Sequence, residues 1–289
     1  MTDLRYESPE SIEAAVALLA EEGPSAKIFA GGTDLLVQIR EDLIEPGLLV
    51  DIKKITETRQ ITIDSEYIHI GAAVTGAELG EHDQISAMWP GVVEAVELIG
   101  SMQVQGRATV GGNLCNASPA ADSVPALIAA DAVVVIAGPD GMREIPVQDI
   151  PTAPGQTSLK PGEFVLSIKL PVRPERAGDA YLRFIPRTEM DIAVVGAGVS
   201  ITLNPDGTCA SARLALGAVS ATARLVEAAS GILVGKKLTD DVLEALAGAA
   251  RDACSPIDDK RGTIEFRTKV AGVMACRATK IAWERAEKN

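Results

Sequence analysis

Apolar side chains recur at helical spacing after Ser11, with Ile12, Val16 and Leu19 on one side of I-E-A-A-V-A-L-L-A-E-E. Ser8-Pro9-Glu10-Ser11 offers a capping residue and a proline near the first turn, and Gly23-Pro24 stops the helix. Lys27-Ile28-Phe29-Ala30 reads as a short buried strand running into Gly31-Gly32, after which residues 34–40 resume helical character. Leu48-Leu49-Val50-Asp51-Ile52 is the next strand, and the order strand, helix, strand predicts a small α/β unit over residues 1–55. From Gln60 the spacing becomes alternating, with strands over Ile61-Thr62-Ile63 and Tyr67-Ile68-His69-Ile70-Gly71. A helix over 91–100 carries Val92, Val93, Val96 and Ile99 on one side, and another opens at Ser123. Residues 132–137 and 142–147 form a hairpin about Gly138-Pro139-Asp140-Gly141, and a strand over 164–170 closes a second unit, 56–175. The remainder, 176–289, reads as three antiparallel strands (181–185, 192–203 and 208–219), the last two joined at Asn204-Pro205-Asp206-Gly207. Helices over 222–232, 240–253 and 264–286 follow.

Composition narrows the class of protein. A chain of 289 residues with 47% hydrophobic and only 3% aromatic content fills its cores with Ala, Val, Leu and Ile, in two or three domains. Its longest apolar runs are far too short to span a bilayer. The opening M-T-D-L-R-Y-E-S has neither the basic region nor the apolar segment of a signal peptide, so a cytoplasmic location is expected. Cys115, Cys209, Cys254 and Cys276 lie far apart, which offers no disulfide framework, zinc site or iron–sulfur ligand set. They read as buried small hydrophobes, with Cys115 the one whose loop places it near a ligand. The formal charge of −13 argues against nucleic acid and anionic membranes as partners.

Two stretches carry the candidate chemistry. T-V-G-G-N-L-C-N-A-S-P-A-A-D, residues 109–122, has little material for a core but a surplus of short oxygen-bonding side chains and unhindered backbone at Gly111 and Gly112. Those are the parts that hold a phosphate or a polyol by main chain. The stretch is expected to lack regular structure between two helices, longer than a plain connector needs to be. Ala30-Gly31-Gly32-Thr33-Asp34-Leu35-Leu36 has the same character, and strand, glycine turn and helix start together make an anion site. The inference is that the two loops meet over one ligand carrying a pyrophosphate. Neither loop contains Lys and only Arg107 lies close in sequence, so backbone donors are expected to dominate.

Asp122 has two readings: a helix cap before Val124, or an acceptor for ribose or ribityl hydroxyls. Asp34 either complements a helix dipole or joins a Mg²⁺ bridge, and no P-loop accompanies it. Val195-Gly196-Ala197-Gly198-Val199-Ser200-Ile201 offers G-x-G, but Ile201 replaces the third glycine and the β-branched run continues the strand, so it is no dinucleotide fingerprint. His69 and His82 fall in unrelated contexts. With no nucleophile, base and orienting group together, the residues indicate a cofactor protein whose chemistry belongs to the cofactor.

The pair A-G-G-T-D-L-L and T-V-G-G-N-L-C-N-A-S-P-A-A-D resembles the FAD-binding medium subunit of molybdenum hydroxylases, the family of carbon monoxide dehydrogenase and xanthine dehydrogenase flavoproteins. Leu49-Val50-Asp51-Ile52, Ile70-Gly71-Ala72-Ala73-Val74-Thr75, Tyr181-x-Arg183-x-x-x-Arg187, Leu216-Gly217-Ala218-Val219 and Phe266-Arg267 extend the resemblance over nearly the whole chain. It implies an α+β fold: a PCMH-type FAD-binding domain of two α/β subdomains, then a carboxy-terminal domain with a three-stranded antiparallel sheet and a helical bundle. By the same resemblance Ile28, Phe29, Ala30, Gly31, Gly32, Thr33, Asp34 and Leu35 form a first pyrophosphate loop. Thr109, Gly111, Gly112, Asn113 and Asn116 form the second, with Ser118 close by and Asp122 on sugar or ribityl hydroxyls. Val165 matches a residue on the adenine side, and Arg183 a cation near the isoalloxazine.

The resemblance further implies FAD as cofactor and a place in a dimer of heterotrimers. An iron–sulfur small subunit would bring [2Fe–2S] clusters and a large subunit the molybdopterin. Carbon monoxide dehydrogenase itself has His-Ser after the glycine pair where this chain has Thr33-Asp34, which favours the broader hydroxylase group over a CO oxidiser. A self-sufficient flavin oxidoreductase and a non-catalytic flavin module are the alternatives to an electron-transfer subunit.

Overall fold

Ser11 caps the helix Ile12–Glu22 by accepting the Ala14 N–H at 3.2 Å, and the buried Ala15 and Leu19 turn it onto a sheet. That sheet is parallel, in the order Arg5–Glu7, Leu48–Asp51, Ala26–Phe29, so its central strand is buried at all four positions. The strand Arg5–Glu7 went unread in the sequence because its three residues are all exposed and carry no apolar alternation. The computed structural model describes residues 4–188 and 190–289.

A five-stranded antiparallel sheet follows, in the order Ile61–Ile63, Tyr67–Gly71, Phe164–Pro171, Val133–Gly138, Gly141–Pro146. The hairpin turns where expected, with Gly138 paired to Gly141, which adopts φ +102°. The helices Pro90–Glu97 and Ser123–Ala129 are buried along most of their lengths. One continuous set of buried apolar side chains runs from Ala15 to Leu170 and takes in Tyr181 and Ala215, so both sheets and these helices share a core.

The carboxy-terminal part departs from expectation in its strand count. Its sheet has four strands, Ala177–Phe184, Val195–Leu203, Cys209–Gly217 and Arg224–Leu225, all antiparallel. The helix expected over 222–232 begins only at Ala228. Leu225 and Arg224 pair with Ala215 and Leu216, and Val226 N–H donates to Leu214 O at 2.8 Å. An open sheet edge therefore outcompetes the local helical preference. Asp240–Asp252 and Ile264–Lys288 bury a second apolar core against this sheet, with Leu246, Ala275 and Ala282 inaccessible to solvent.

The opposite face of the same sheet meets the Ser123–Ala129 helix. There the G-x-G run has a packing role: a Cβ on Gly198 would lie 2.6 Å from Pro125 O, and one on Gly196 would lie 2.5 Å from the Tyr181 hydroxyl. Both glycines let the helix and Tyr181 lie flat on the strand, as the reading of this run as a plain strand requires. Gly198→Val is expected to cost about 1–3 kcal/mol by overpacking, measured as a fall in the urea midpoint at unchanged m-value. This contact brings Asp122, one residue before the helix, under the carboxy-terminal sheet.

Candidate functional site

The first glycine loop begins where the strand Ala26–Phe29 ends. Gly32 takes φ +74°, and a Cβ there would lie 2.3 Å from the Phe29 ring, so the chain turns tightly over that side chain. The helix Leu35–Arg40 follows, its Asp34 N-cap making no side-chain bond to the helix amides. The amides of Gly31, Gly32, Thr33, Asp34 and Leu35 donate to no acceptor among the described residues. Leu36 N–H donates to Gly32 O, so the amides of residues 32–35 are the free N–H groups of a helix start, and the Gly31 amide extends the run by one. Their concave arrangement ahead of a helix start suits an anion.

The second loop differs from the irregular stretch expected. Residues Val110–Cys115 form a helix, capped by Thr109, whose Oγ1 accepts Gly112 N–H at 3.0 Å. Low helix propensity at Gly111-Gly112 hides this turn in the sequence, and tertiary packing imposes it. A Cβ on Gly111 would lie 2.7 Å from Ala72 O, so only glycine lets the helix reach the five-stranded sheet. Asn113 Oδ1 accepts the Ser123 hydroxyl at 2.6 Å, and Asn116 Oδ1 accepts Gln38 Nε2 at 3.1 Å. With both carbonyl oxygens held by protein donors, both side-chain NH₂ groups remain as donors.

The two loops meet, as inferred. Gly31 lies against the main chain before Thr109: a Cβ on it would sit 2.1 Å from Arg107 O. The Gln38–Asn116 bond ties the helix after the first loop to the end of the second. Between them opens a cleft of about 570 Å³, within the size range of small-molecule and cofactor sites. Of the positions singled out in the sequence, Ile28, Ala30, Gly31, Gly32, Thr33, Asp34, Leu35, Thr109, Gly111, Gly112, Asn113, Asn116 and Val165 line it. Asp34 stands at its exposed rim, where the surrounding walls push its carboxyl above the ordinary value and the Thr33 hydroxyl pulls it back.

Four positions do not line the cleft. Phe29 supports Gly32 from beneath, and the Ser118 hydroxyl accepts the Ala120 N–H at 3.3 Å. Asp122 does not cap the helix, and it does not line the cleft. It has helical φ and ψ with no capping bond, and its carboxylate accepts Arg183 Nη1 at 2.8 Å and the Tyr181 hydroxyl at 2.9 Å. Arg183 Nη1 also donates to Leu98 O at 2.9 Å, so that end of the guanidinium is held inside the protein. Burial pushes the Asp122 carboxyl up to about 6, against the lowering effect of Arg183 and Tyr181.

Sequence reasoning also missed part of the wall. Lys27 and Lys160 line the cleft, together with Gln38, Leu159, Gly162 and Glu163. Cations are therefore present although neither glycine loop contains one: Lys27 stands on the strand that feeds the first loop, and Lys160 folds in from a distant segment. Cys115 lines the cleft as anticipated, and burial pushes its thiol up to about 12, so it stays neutral and unreactive. Among the described residues no group of His, Cys, Asp and Glu has the arrangement of a metal site, and no helix is long and apolar enough to cross a membrane.

Residues 2–173 match the model of the FAD binding domain in molybdopterin dehydrogenase, and residues 180–282 that of the CO dehydrogenase flavoprotein C-terminal domain. The chain is 34% identical to the carbon monoxide dehydrogenase medium chain of Hydrogenophaga pseudoflava, over 97% of each sequence. It is 31% identical to the xanthine dehydrogenase FAD-binding subunit of Escherichia coli O157:H7, over 93% of this chain and 92% of that one. The solved reconstituted CO dehydrogenase from Oligotropha carboxidovorans superposes with a TM-score of 0.94 at 34% identity, covering 98% of both chains. With the glycine-lined cleft at the junction of its first two sheets, the chain belongs to the FAD-binding flavoprotein family of the molybdenum-containing dehydrogenases, a family of oxidoreductase subunits.

Proposed function

We propose that this chain is the FAD-carrying electron-transfer subunit of a heterotrimeric molybdenum hydroxylase, receiving electrons from [2Fe–2S] clusters of a small subunit and releasing them to an external acceptor. A molybdopterin-bearing large subunit would oxidise the substrate, and two such heterotrimers would pair. The supporting observation is the run of unspent amides at 31–35, facing the free amide groups of Asn113 and Asn116 across one cleft. A dinucleotide's pyrophosphate is the ligand portion that such a donor set suits.

In this reading Gly31, Gly32, Thr33, Asp34 and Leu35 donate main-chain hydrogen bonds to the diphosphate, with Ile28 and Ala30 forming the wall beneath. Thr109, Gly111 and Gly112 bring the second helix start against it, and Asn113 and Asn116 add side-chain donors. Val165 and its neighbours Gly162 and Glu163 form the far end, on the adenine side. Lys27 and Lys160 supply positive charge, which offsets the repulsion between an anionic ligand and a chain of net charge −13. Asp122 and Arg183 fasten the second loop to the carboxy-terminal sheet rather than touching the ligand. When bound, FAD supplies the ability to exchange electrons singly on one side and in pairs on the other. We further propose that the division at residues 1–55, 56–175 and 176–289 separates the two walls of the cleft from the sheet that braces them.

Native purification tests the assembly: iron, molybdenum and two further polypeptides should accompany the flavin. A lone yellow polypeptide that oxidises a substrate unaided would replace this reading with a self-sufficient enzyme. Gly112→Val tests the site, because a Cβ at 112 already lies 2.8 Å from Thr109 Oγ1 and larger groups project toward the cleft. The variant should fold yet lack flavin absorbance, and normal flavin content in it would refute the placement.

A further inference from the structure

The amides of the first loop need a fixed orientation to act together, and one side chain outside the loop provides it. Lys53 lies just past the central parallel strand, and its Nζ donates to Ala30 O at 2.9 Å while pairing with Asp51 Oδ1 at 2.8 Å. The same ammonium sits 4.0 Å from the centroid of the Phe29 ring, the ring over which Gly32 turns. Asp51 is itself held, since its Oδ1 accepts Lys53 N–H at 2.9 Å and its Oδ2 accepts the Tyr6 hydroxyl. The cation is therefore immobilised on three sides, by Asp51 and the Phe29 ring outside the cleft and by Ala30 O in its wall.

The peptide between Ala30 and Gly31 is a rigid plane in which C=O and N–H point in opposite directions. Holding Ala30 O on one side therefore turns Gly31 N–H to the other, and that N–H is the first of the five unspent donors. Ala30 O could otherwise rotate toward the cleft and present an acceptor to a phosphate. We infer that Lys53 is a positioning residue for diphosphate recognition, pinning the Ala30 carbonyl so that the Gly31 amide and those after it aim into the cleft. Its role is to orient donors, without contact to the ligand. This inference rests on the reading of the cleft as an FAD site.

The test uses the full chain stripped of flavin, titrated with FAD and separately with ADP, a diphosphate without the flavin. Lys53→Met should raise both dissociation constants about tenfold or more, the scale of one lost charge-assisted hydrogen bond. Lys53→Arg should restore both to within about threefold, because it keeps a cationic donor. Unchanged FAD and ADP affinities in Lys53→Met would overturn the inference. So would a loss that tracks a fall in the unfolding midpoint of the ligand-free protein and is not rescued by arginine, since that is a purely structural role. A wild-type chain that binds neither ligand would instead fell the FAD reading, and this inference with it.

Discussion

Gly31→Val is expected to yield a colourless protein whose affinity for FAD is lower by about a thousandfold, or ~4 kcal/mol. Even a methyl group at this position would lie 2.1 Å from Arg107 O and 2.9 Å from its carbonyl carbon, and both are backbone atoms. Neither atom can swing aside as a side chain would, so the loops must separate. Separation spreads the amides of 31–35 away from Asn113 and Asn116, and a donor set that acts on one diphosphate is divided in two. The Gln38–Asn116 bond, 3.1 Å long, spans the same gap and would break with it. The measurement is flavin absorbance per polypeptide after incubation with excess FAD, with circular dichroism confirming retained secondary structure. Stoichiometric flavin in this variant would mean that the cofactor is held elsewhere.

Arg183→Met is expected to destabilise the fold by about 3–5 kcal/mol, because it leaves a buried carboxylate without its partner. The side chains of Arg183 and Asp122 are only 5% and 9% exposed, and their bond joins the carboxy-terminal sheet to the end of the second glycine loop. The pH dependence is the diagnostic part. Asp122 already titrates at about 6 in the folded chain, because burial outweighs the attraction of Arg183 and its bond with Tyr181. Its folded value therefore lies above the ordinary carboxylate value near 4. Between those two values the folded state binds more protons than the unfolded one, so this group's contribution to stability falls as pH rises through the window. Without Arg183 the folded value climbs further and the window extends upward. Urea unfolding should thus show the variant close to wild type at pH 5 and much weaker at pH 8. An equal deficit at both pH values would contradict the buried-pair account.

Asp122→Ala should likewise behave as a stability variant, since it strands Arg183 and the Tyr181 hydroxyl. That outcome differs from the one a sugar-binding carboxylate predicts, in which cofactor affinity falls and the fold is spared. The two are separated by comparing the unfolding midpoint of the flavin-free protein with the FAD dissociation constant.

Much of the site was legible in the amino-acid order because its chemistry is local. Gly31-Gly32 after a short apolar strand, and Gly111-Gly112 after a capping threonine, announce close backbone approach whatever surrounds them. The strands Ile61–Ile63 and Tyr67–Gly71 and the 138–141 hairpin were equally plain, since period-two alternation and turn residues are properties of a few neighbouring positions. Other features depend on partners far along the chain. Arg224–Leu225 is a strand only because the edge of Cys209–Gly217 is open beside it, and Val110–Cys115 is a helix only because Gly111 fits against Ala72.

The sequence by itself determined which segments bring small, donor-rich backbone and that the chain is an acidic α+β flavoprotein of a recognisable family. Only the tertiary structure decided which charges line the cleft and which face each other. Lys160 arrives at the cleft from a segment that shows no cofactor signal, whereas Asp122 and Arg183, which did, neutralise one another beneath a sheet. The physical reason is that a charge's role is set by what desolvates it and what lies within about 3–4 Å of it, and neither is a property of its neighbours in the chain.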